Sequence, residues 1–583
     1  MSDGHGRTRL LFISPLPRGA RAVHHQRGNP MQRLTLLLSL LLALAVLAAA
    51  AGPAGEAASS PDQDFVLPQP VEPLPEPLAT AVAGIGAPAL AAHIRLLASP
   101  SLEGRGLGDR GLDAALEYVA ASLELAGIAP PSGGDPSGGA AAHFQVVPLR
   151  EISGQQGGVT VVRQSDDQTW SRSFALGVDC LLPYLAPQTI TAPVVFAGYG
   201  IREPGLGHDD YQGLDVRGRI VLLFAGLPDG PQWQTKELTG RWNAEDGDDR
   251  YSARLGLARE LGASAVVAIE REDWLKKLED GREAMARFFL PFDAAAAAGE
   301  GPPLAVASAA VAEALLGADA LTGSAVPAVP HGLLPGISAT ISASGSERVF
   351  DSRNVLGVIP GADPALRDEV VMIGAHLDHL GRSGDVIFPG ADDNASGSAA
   401  LLEIAKAFAA SPARPKRTLA FAFWTGEEEG KFGSGHYCRH PVWPLERTTY
   451  LNLDMIGHPW LPEEIAKLVA DSGLQQGGDA LAAMAPADFI ELGLPAGLPE
   501  LDAALRRAAI ANGLALHFDR THGKFGGSDY RDFARAGVPF IRFFGNFHPG
   551  YHEPSDTGEA LDAAQVQRVA RLALATAWLL ADR

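Results

Sequence analysis

Residues 370–398 read VVMIGAHLDHLGRSGDVIFPGADDNASGS. The run from Val370 to Ile373 is short, apolar and rich in Val and Ile, the composition of a buried strand. His376 and Asp378 follow just past its end. A loop containing Gly and Pro then delivers Asp392, Asp393 and Asn394 to the start of a helical pattern. In an open α/β sheet, ligands bind outside the carboxyl ends of the strands. An imidazole and a carboxylate leaving one strand there, with more carboxylates at the next helix start, form half of a metal site.

Working outward, residues 354–359, 370–373, 418–424, 449–453 and 539–544 read as strands. Helical patterns separate them, notably 397–409 and 501–511. This alternation, with near-continuous apolar strands, implies a largely parallel sheet covered on both faces. The expected fold class is α/β, a mostly parallel mixed sheet sandwiched by helices.

The 583 residues exceed one compact core, so two or more domains are expected. A hydrophobic fraction of 46% and a charged fraction of 20% are those of a globular protein. The net charge of −21 argues against nucleic acid and anionic membrane surfaces as partners. Residues 31–58, MQRLTLLLSLLLALAVLAAAAGPAGEAA, set Arg33 ahead of an apolar run that ends in small residues. That is the layout of a signal peptide. The chain is therefore expected to be exported, periplasmic or secreted, with no stable membrane insertion after cleavage. The rival is an uncleaved anchor, because residues 34–51 approach the ~18 apolar residues of a spanning helix. Five arginines precede Met31, which leaves Met1 and Met31 both open as starts. Cys180 and Cys438 lie far apart; export permits a disulfide, and neither has the neighbours of a cysteine metal site.

The expected organisation is a basic leader and signal over 1–58 and a Pro-rich linker over 59–86. A first part of the main domain covers 87–178, an insertion 179–346, and the larger part of the main domain 347–583. Helices are expected at 89–98 and along Leu112, Leu116, Val119 and Leu123, closed by Gly127. Residues 144–149 and 159–162 read as two strands. Within the insertion, β-type runs at 193–200 and 220–226 alternate with Gly/Asp turns, and one helix at 253–261 leads into 263–269. The insertion is read as β-rich, and its acidic loop at 245–249 as solvated rather than cation-binding. Residues 460–500 are Ala/Leu/Gly-rich and carry no pattern that places them.

Singly, the polar motifs say little. His376-Leu377-Asp378 is an ordinary loop triplet, and GADDNASG or Glu427-Glu428-Glu429 suit a helix start. Asp454 in YLNLDMIG is more telling, since a carboxylate in an apolar strand is costly unless paired or metal-bound. Together they point one way. His376, Glu427, Glu428, Asp454 and His552 all follow or close a predicted strand, and parallel strands end on one edge. Converging imidazoles and carboxylates without thiolates suit divalent zinc.

GAHLDHLG, PGADDNASGSAALLE, FWTGEEEGKFGS, YLNLDMIG and YHEPSDT occur in the order of the co-catalytic two-zinc aminopeptidases, metallopeptidase family twenty-eight, which the chain resembles. SLEGRGLGDRG near the N-terminus resembles the same family. VFAGYGI followed by DDYQGLDVRGRIVLL is similar to the protease-associated domain inserted in many members. The resemblance implies two Zn2+ per chain and peptide substrates. It implies that Asp393 bridges the ions, His376 and Asp454 completing one, Glu428 and His552 the other. Asp378 would orient His376, Glu427 would be the general base, and Tyr551 would hydrogen-bond the oxyanion. In the glutamate run, Gly430 and Gly433-Ser434 set the family spacing, which makes Glu427 and Glu428 the pair.

One departure is Ser528-Asp529-Tyr530, where relatives often have Ser-Asp-His. His379, His458, His517, His522 and His548 lie near the motifs but are not expected as ligands. The expected activity is zinc-dependent removal of N-terminal residues from peptides, with water activated between the metals. Rival chemistries on the same fold are glutaminyl cyclase-like, dipeptidase and carboxypeptidase activity. A non-catalytic, receptor-like binding protein is the rival from another class.

Overall fold

Every residue of the run Val370–His376 is buried, as an interior strand of a helix-covered sheet requires. This comes from a computed structural model that describes residues 64–131, 139–165, 167–243, 251–270, 286–292, 302–317, 329–474, 477–520 and 527–583. The expected signal, the loop at 245–249 and His522 lie outside the described residues.

Among the described residues, one sheet joins sixteen strands. In chain order they begin with β1 (Phe65–Val66), β2 (Phe144–Gln164), β3 (Thr169–Ala175), β4 (Cys180–Leu181), β5 (Gln188–Phe196) and β6 (Ile220–Phe224). β7 (Ala265–Ile269), β8 (Arg287–Pro291), β9 (Leu304–Ala307) and β10 (Gly332–Ile359) follow. β11 (Val370–His376), β12 (Thr418–Trp424), β13 (Thr448–Leu453), β14 (Phe489–Gly493), β15 (Ala515–Asp519) and β16 (Phe540–Phe543) complete it.

The half of the sheet from β10 to β16 is mixed and mostly parallel, as the expected fold class requires. β11 lies between β12 and β13, parallel to both, and β13 is parallel to β16. β10 and β14 enter antiparallel, against β12 and β16. Alternate residues face opposite sides. Ile373, Phe421, Phe423, Leu451 and Leu453 pack with the helices Gly397–Ala410 and Ala563–Ala581. Met372, Ala420, Trp424 and Tyr450 face Tyr437 and Phe533 on the other side. The register sets His376 beside Trp424 and Leu453 beside Phe543, so the loops leaving β11, β12, β13 and β16 open on one edge.

Some expectations need correction. The spans 144–149 and 159–162 are one strand, β2, which runs along the 28-residue β10. These two strands carry the sheet into a second unit with cores of its own. That unit is α/β rather than simply β-rich: β5, β6, β7 and β9 are parallel, with helices at Ser252–Glu260 and Ala309–Leu316. Its central strands are fully apolar and buried, so both faces need cover. Val159, Val161 and Phe174 already belong to this core, ahead of the expected boundary at 179. Within the expected linker, β1 pairs antiparallel with β15, and Leu78–Gly84 is a helix that buries Leu78, Ala81 and Val82.

The described part of 460–500 holds a helix at Pro462–Ser472 and then β14, which lies between β15 and β16 near one end of the sheet. Cys180 and Cys438 are both free. No single helix among the described residues is long and apolar enough to cross a membrane.

Candidate metal centre

β11 ends on His376, which is 1% exposed. Its Nδ1 lies 3.1 Å from the backbone carbonyl of Asp378. A proton on Nδ1 donated to that carbonyl leaves the Nε2 lone pair free. Nε2 sits 3.2 Å from Asp454 Oδ1 and 3.3 Å from Asp393 Oδ1. The main chain of Asp378, rather than its carboxylate, thus orients the ring; the carboxylate oxygen is 3.9 Å away. That carboxylate accepts the backbone N–H groups of Glu427 and Glu428, at 3.1 and 3.2 Å. Asp378 therefore fixes the turn after β12.

Asp393 reaches the site through two anchors. Asp556 accepts the backbone N–H groups of both Asp392 and Asp393, the latter at 3.1 Å. Asn394 donates its amide to the carbonyl of Leu453 at 2.9 Å, binding this turn to the end of β13. Asp393 then turns Oδ1 to His376 and Oδ2 to His552, whose Nε2 is 3.1 Å away. Glu428 Oε2 lies 3.3 Å from the same His552 nitrogen. Glu428 Oε1 lies 2.6 Å from His379 Nδ1.

Two overlapping groups of donor atoms result, His376–Asp393–Asp454 and His379–Asp393–Glu428, each within 4.8 Å of one another. The five ligand positions expected from the sequence are brought together, with Asp393 shared. Glu427 is buried beside them, 3.0 Å from Lys431 Nζ. Tyr551 is 37% exposed and stacks on His552 with ring centroids 3.8 Å apart.

The electrostatics follow from burial. Burial opposes charge on His376, but Asp454 and Asp393 outweigh it and hold its pKa well above the usual histidine value. Burial is likewise outweighed at His552 by Glu428 and Asp393, which raise its pKa to about 10. Burial lifts the Glu427 carboxyl above the ordinary range. Glu428 stands well below it, because His552 and His379 overcome the cost of burial.

Lone pairs from imidazoles and carboxylates converge here, and the Nε2 atoms of His379 and His552 have no hydrogen-bond partner among the described residues. Buried polar atoms left so are costly. The donor set, nitrogen and carboxylate oxygen without sulfur, fits borderline divalent cations.

Several participants escape the sequence reading. His379 lies near the motifs but is not expected as a ligand, yet its Nδ1 pairs with Glu428. Asp556 sits inside YHEPSDT, and Arg105 inside SLEGRGLGDRG. Arg105 is fully buried and donates to the carbonyls of Leu377 (2.7 Å), Pro389 and Gly390 (both 2.8 Å), and of Leu97. It thereby clasps the two ends of the loop between His376 and Asp392. Ser528 accepts from Asn452 at 2.8 Å, next to the buried Asp529 and Tyr530. No position of that triplet falls within the two groups of donor atoms.

Comparison with known proteins gives matches of limited extent. Residues 354–577 match the family described as peptidase family M28. An aminopeptidase of Pseudomonas aeruginosa strain UCBPP-PA14 is 45% identical over 94 residues, 16% of each chain. A probable lipoprotein aminopeptidase of Mycobacterium tuberculosis, LpqL, is 29% identical over 246 residues, 38% of this chain and 44% of the relative. The matched segments thus span less than half the length of these curated relatives. An aminopeptidase structure from Aneurinibacillus sp. strain AM-1 superposes with a TM-score of 0.49 at 20% identity, covering 87% of this chain and 96% of that one.

Proposed function

The chain belongs to peptidase family M28 through its residues 354–577, and on that premise we propose that it is a zinc-dependent aminopeptidase exported from the cell. The observation that carries this reading is the split of Asp393, one carboxylate oxygen toward His376 and the other toward His552. His376, Asp393 and Asp454 would hold one zinc ion; Asp393, Glu428 and His552 would hold the second. When bound, such ions lower the pKa of water toward about 7 and polarise a carbonyl oxygen.

Glu427 is the general base. It takes a proton from the attacking water as the new C–O bond forms, and returns it to the leaving amine as the C–N bond breaks. Burial raises the pKa of that carboxyl toward the operating range, where it can both take up and return a proton. Tyr551, which stacks on His552, would hydrogen-bond the oxyanion. A free substrate α-amine is drawn to the acidic groups, which favours cleavage at the N-terminus. The names of the relatives matched in sequence support this substrate class.

The second unit serves as a protease-associated domain flanking the cleft, and residues 31–58 direct export. The test is hydrolysis of aminoacyl-anilides beside N-blocked peptides, with and without chelator. Chelator-sensitive cleavage of free N-termini is expected; cleavage confined to blocked peptides would refute the assignment.

A further inference from the structure

A third group of donor atoms lies behind the first two. Asp392, His458 and His548 each offer one donor atom, and the three atoms lie within 4.8 Å of one another. Asp392 is 0% exposed, and its Oδ1 accepts the backbone N–H of Gly457 at 2.7 Å. Its Oδ2 has no hydrogen-bond partner among the described residues, nor have His458 Nε2 and His548 Nε2. His548 Nε2 is 3.5 Å from Asp392 Oδ2, without hydrogen-bond geometry, and its side chain is 8% exposed. The two rings stack with centroids 3.8 Å apart and planes inclined by 18°. Three unsatisfied polar atoms on closely grouped residues, one of them a buried carboxylate oxygen, are the arrangement a cation relieves.

We propose that Asp392, His458 and His548 form a third divalent-cation site, of zinc-like N2O character, that braces the loops of the catalytic centre. The placement of the three residues in the chain gives the site its purpose. Asp392 immediately precedes Asp393, His458 follows Asp454 by four residues, and His548 precedes His552 by four. One ion would therefore tie together the three turns that deliver Asp393, Asp454 and His552. The turns already touch: Gly545 donates to the carbonyl of Met455 at 2.7 Å. A Cβ on Gly545 would lie 2.4 Å from the carbonyl oxygen of His458, so only glycine allows this approach. Two imidazoles and one carboxylate satisfy a tetrahedral ion with a solvent molecule as the fourth ligand, and half-buried His458 leaves an approach for it. Binding through His548 Nε2 requires the proton on Nδ1, so the 3.2 Å contact from the Gly550 N–H to Nδ1 must give way. That contact is local and long.

The test counts ions. The full chain is loaded with excess zinc, freed of weakly held metal on a desalting column, and analysed for zinc per chain by native mass spectrometry. Three ions are expected for the unsubstituted chain, and two for His458→Gln/His548→Gln. Circular dichroism checks the fold of the variant. If the double variant misfolds, His458→Gln alone, at the half-buried position, carries the comparison. An unsubstituted chain that saturates at two ions overturns the proposal and leaves the catalytic pair intact. Three ions retained in the variants overturn it as well, since the third then lies elsewhere. Saturation at one or none overturns both this site and the two-zinc reading.

Discussion

Lys431 sets its ammonium 3.0 Å from Glu427 Oε1, with both side chains buried. Burial raises the pKa of Glu427, and the Lys431 charge is the main influence holding it down. In its proposed role as general base Glu427 works only when deprotonated, so the lysine would widen the pH range of activity on the acid side. Lys431→Met should move the acid limb of the kcat/KM profile upward by about one pH unit. A pH–rate profile that does not move would separate Lys431 from the base.

Replacing Glu427 by Gln should lower kcat by about 10^2 to 10^4, with metal content unchanged. Asp393→Asn should lose metal along with activity, because both donor groups share that carboxylate. Parallel metal analysis and rate measurements on the two variants distinguish a base from a ligand.

Metal binding should release protons. In the metal-free protein, His376 has a pKa well above the histidine norm, and His552 one of about 10, held up by Asp454, Glu428 and Asp393 against the effect of burial. Both rings therefore carry a proton at pH 7 that a cation must displace. Zinc titration calorimetry in buffers of different ionisation enthalpy should report about two protons released, with affinity falling as pH falls. Release of none would mean that these imidazoles are not ligands.

Arg105 stays charged despite burial that lowers its pKa to about 10, and its guanidinium occupies four carbonyls on three segments. Arg105→Met would leave those oxygens unsatisfied and should destabilise the chain by about 3 kcal/mol. Arg105→Lys should rescue little, because an ammonium cannot match the planar fork. Denaturant unfolding of both variants measures this; a loss below about 0.5 kcal/mol for Arg105→Met, the range of neutral surface changes, would contradict it.

The strands of the catalytic sheet were legible because burial on both faces demands unbroken apolar runs, as in Val370–His376 and Thr418–Trp424. The β2–β10 ladder was not. Much of its length is exposed, so polar residues such as Glu151 and Arg348 interrupt the periodicity, while main-chain pairing carries the strands on. The candidate donor residues were legible as chemistry at strand ends, and the family resemblance, through the spacing to Gly430, separated Glu427 from Glu429. His379 and Asp556 were not, because their roles arise from contacts across 49 and 163 positions. Asp378 kept its position but changed its task, since its backbone carbonyl and its carboxylate serve different partners.

The central claim is that His376, Asp393, Glu428, Asp454 and His552 hold a pair of cations across one shared carboxylate. Anomalous scattering at the zinc edge from crystals grown with zinc tests it most directly. Two peaks about 3.5–4 Å apart, on either side of the Asp393 carboxylate, are predicted. A single peak there, or peaks that leave Asp393 uncoordinated, would contradict it.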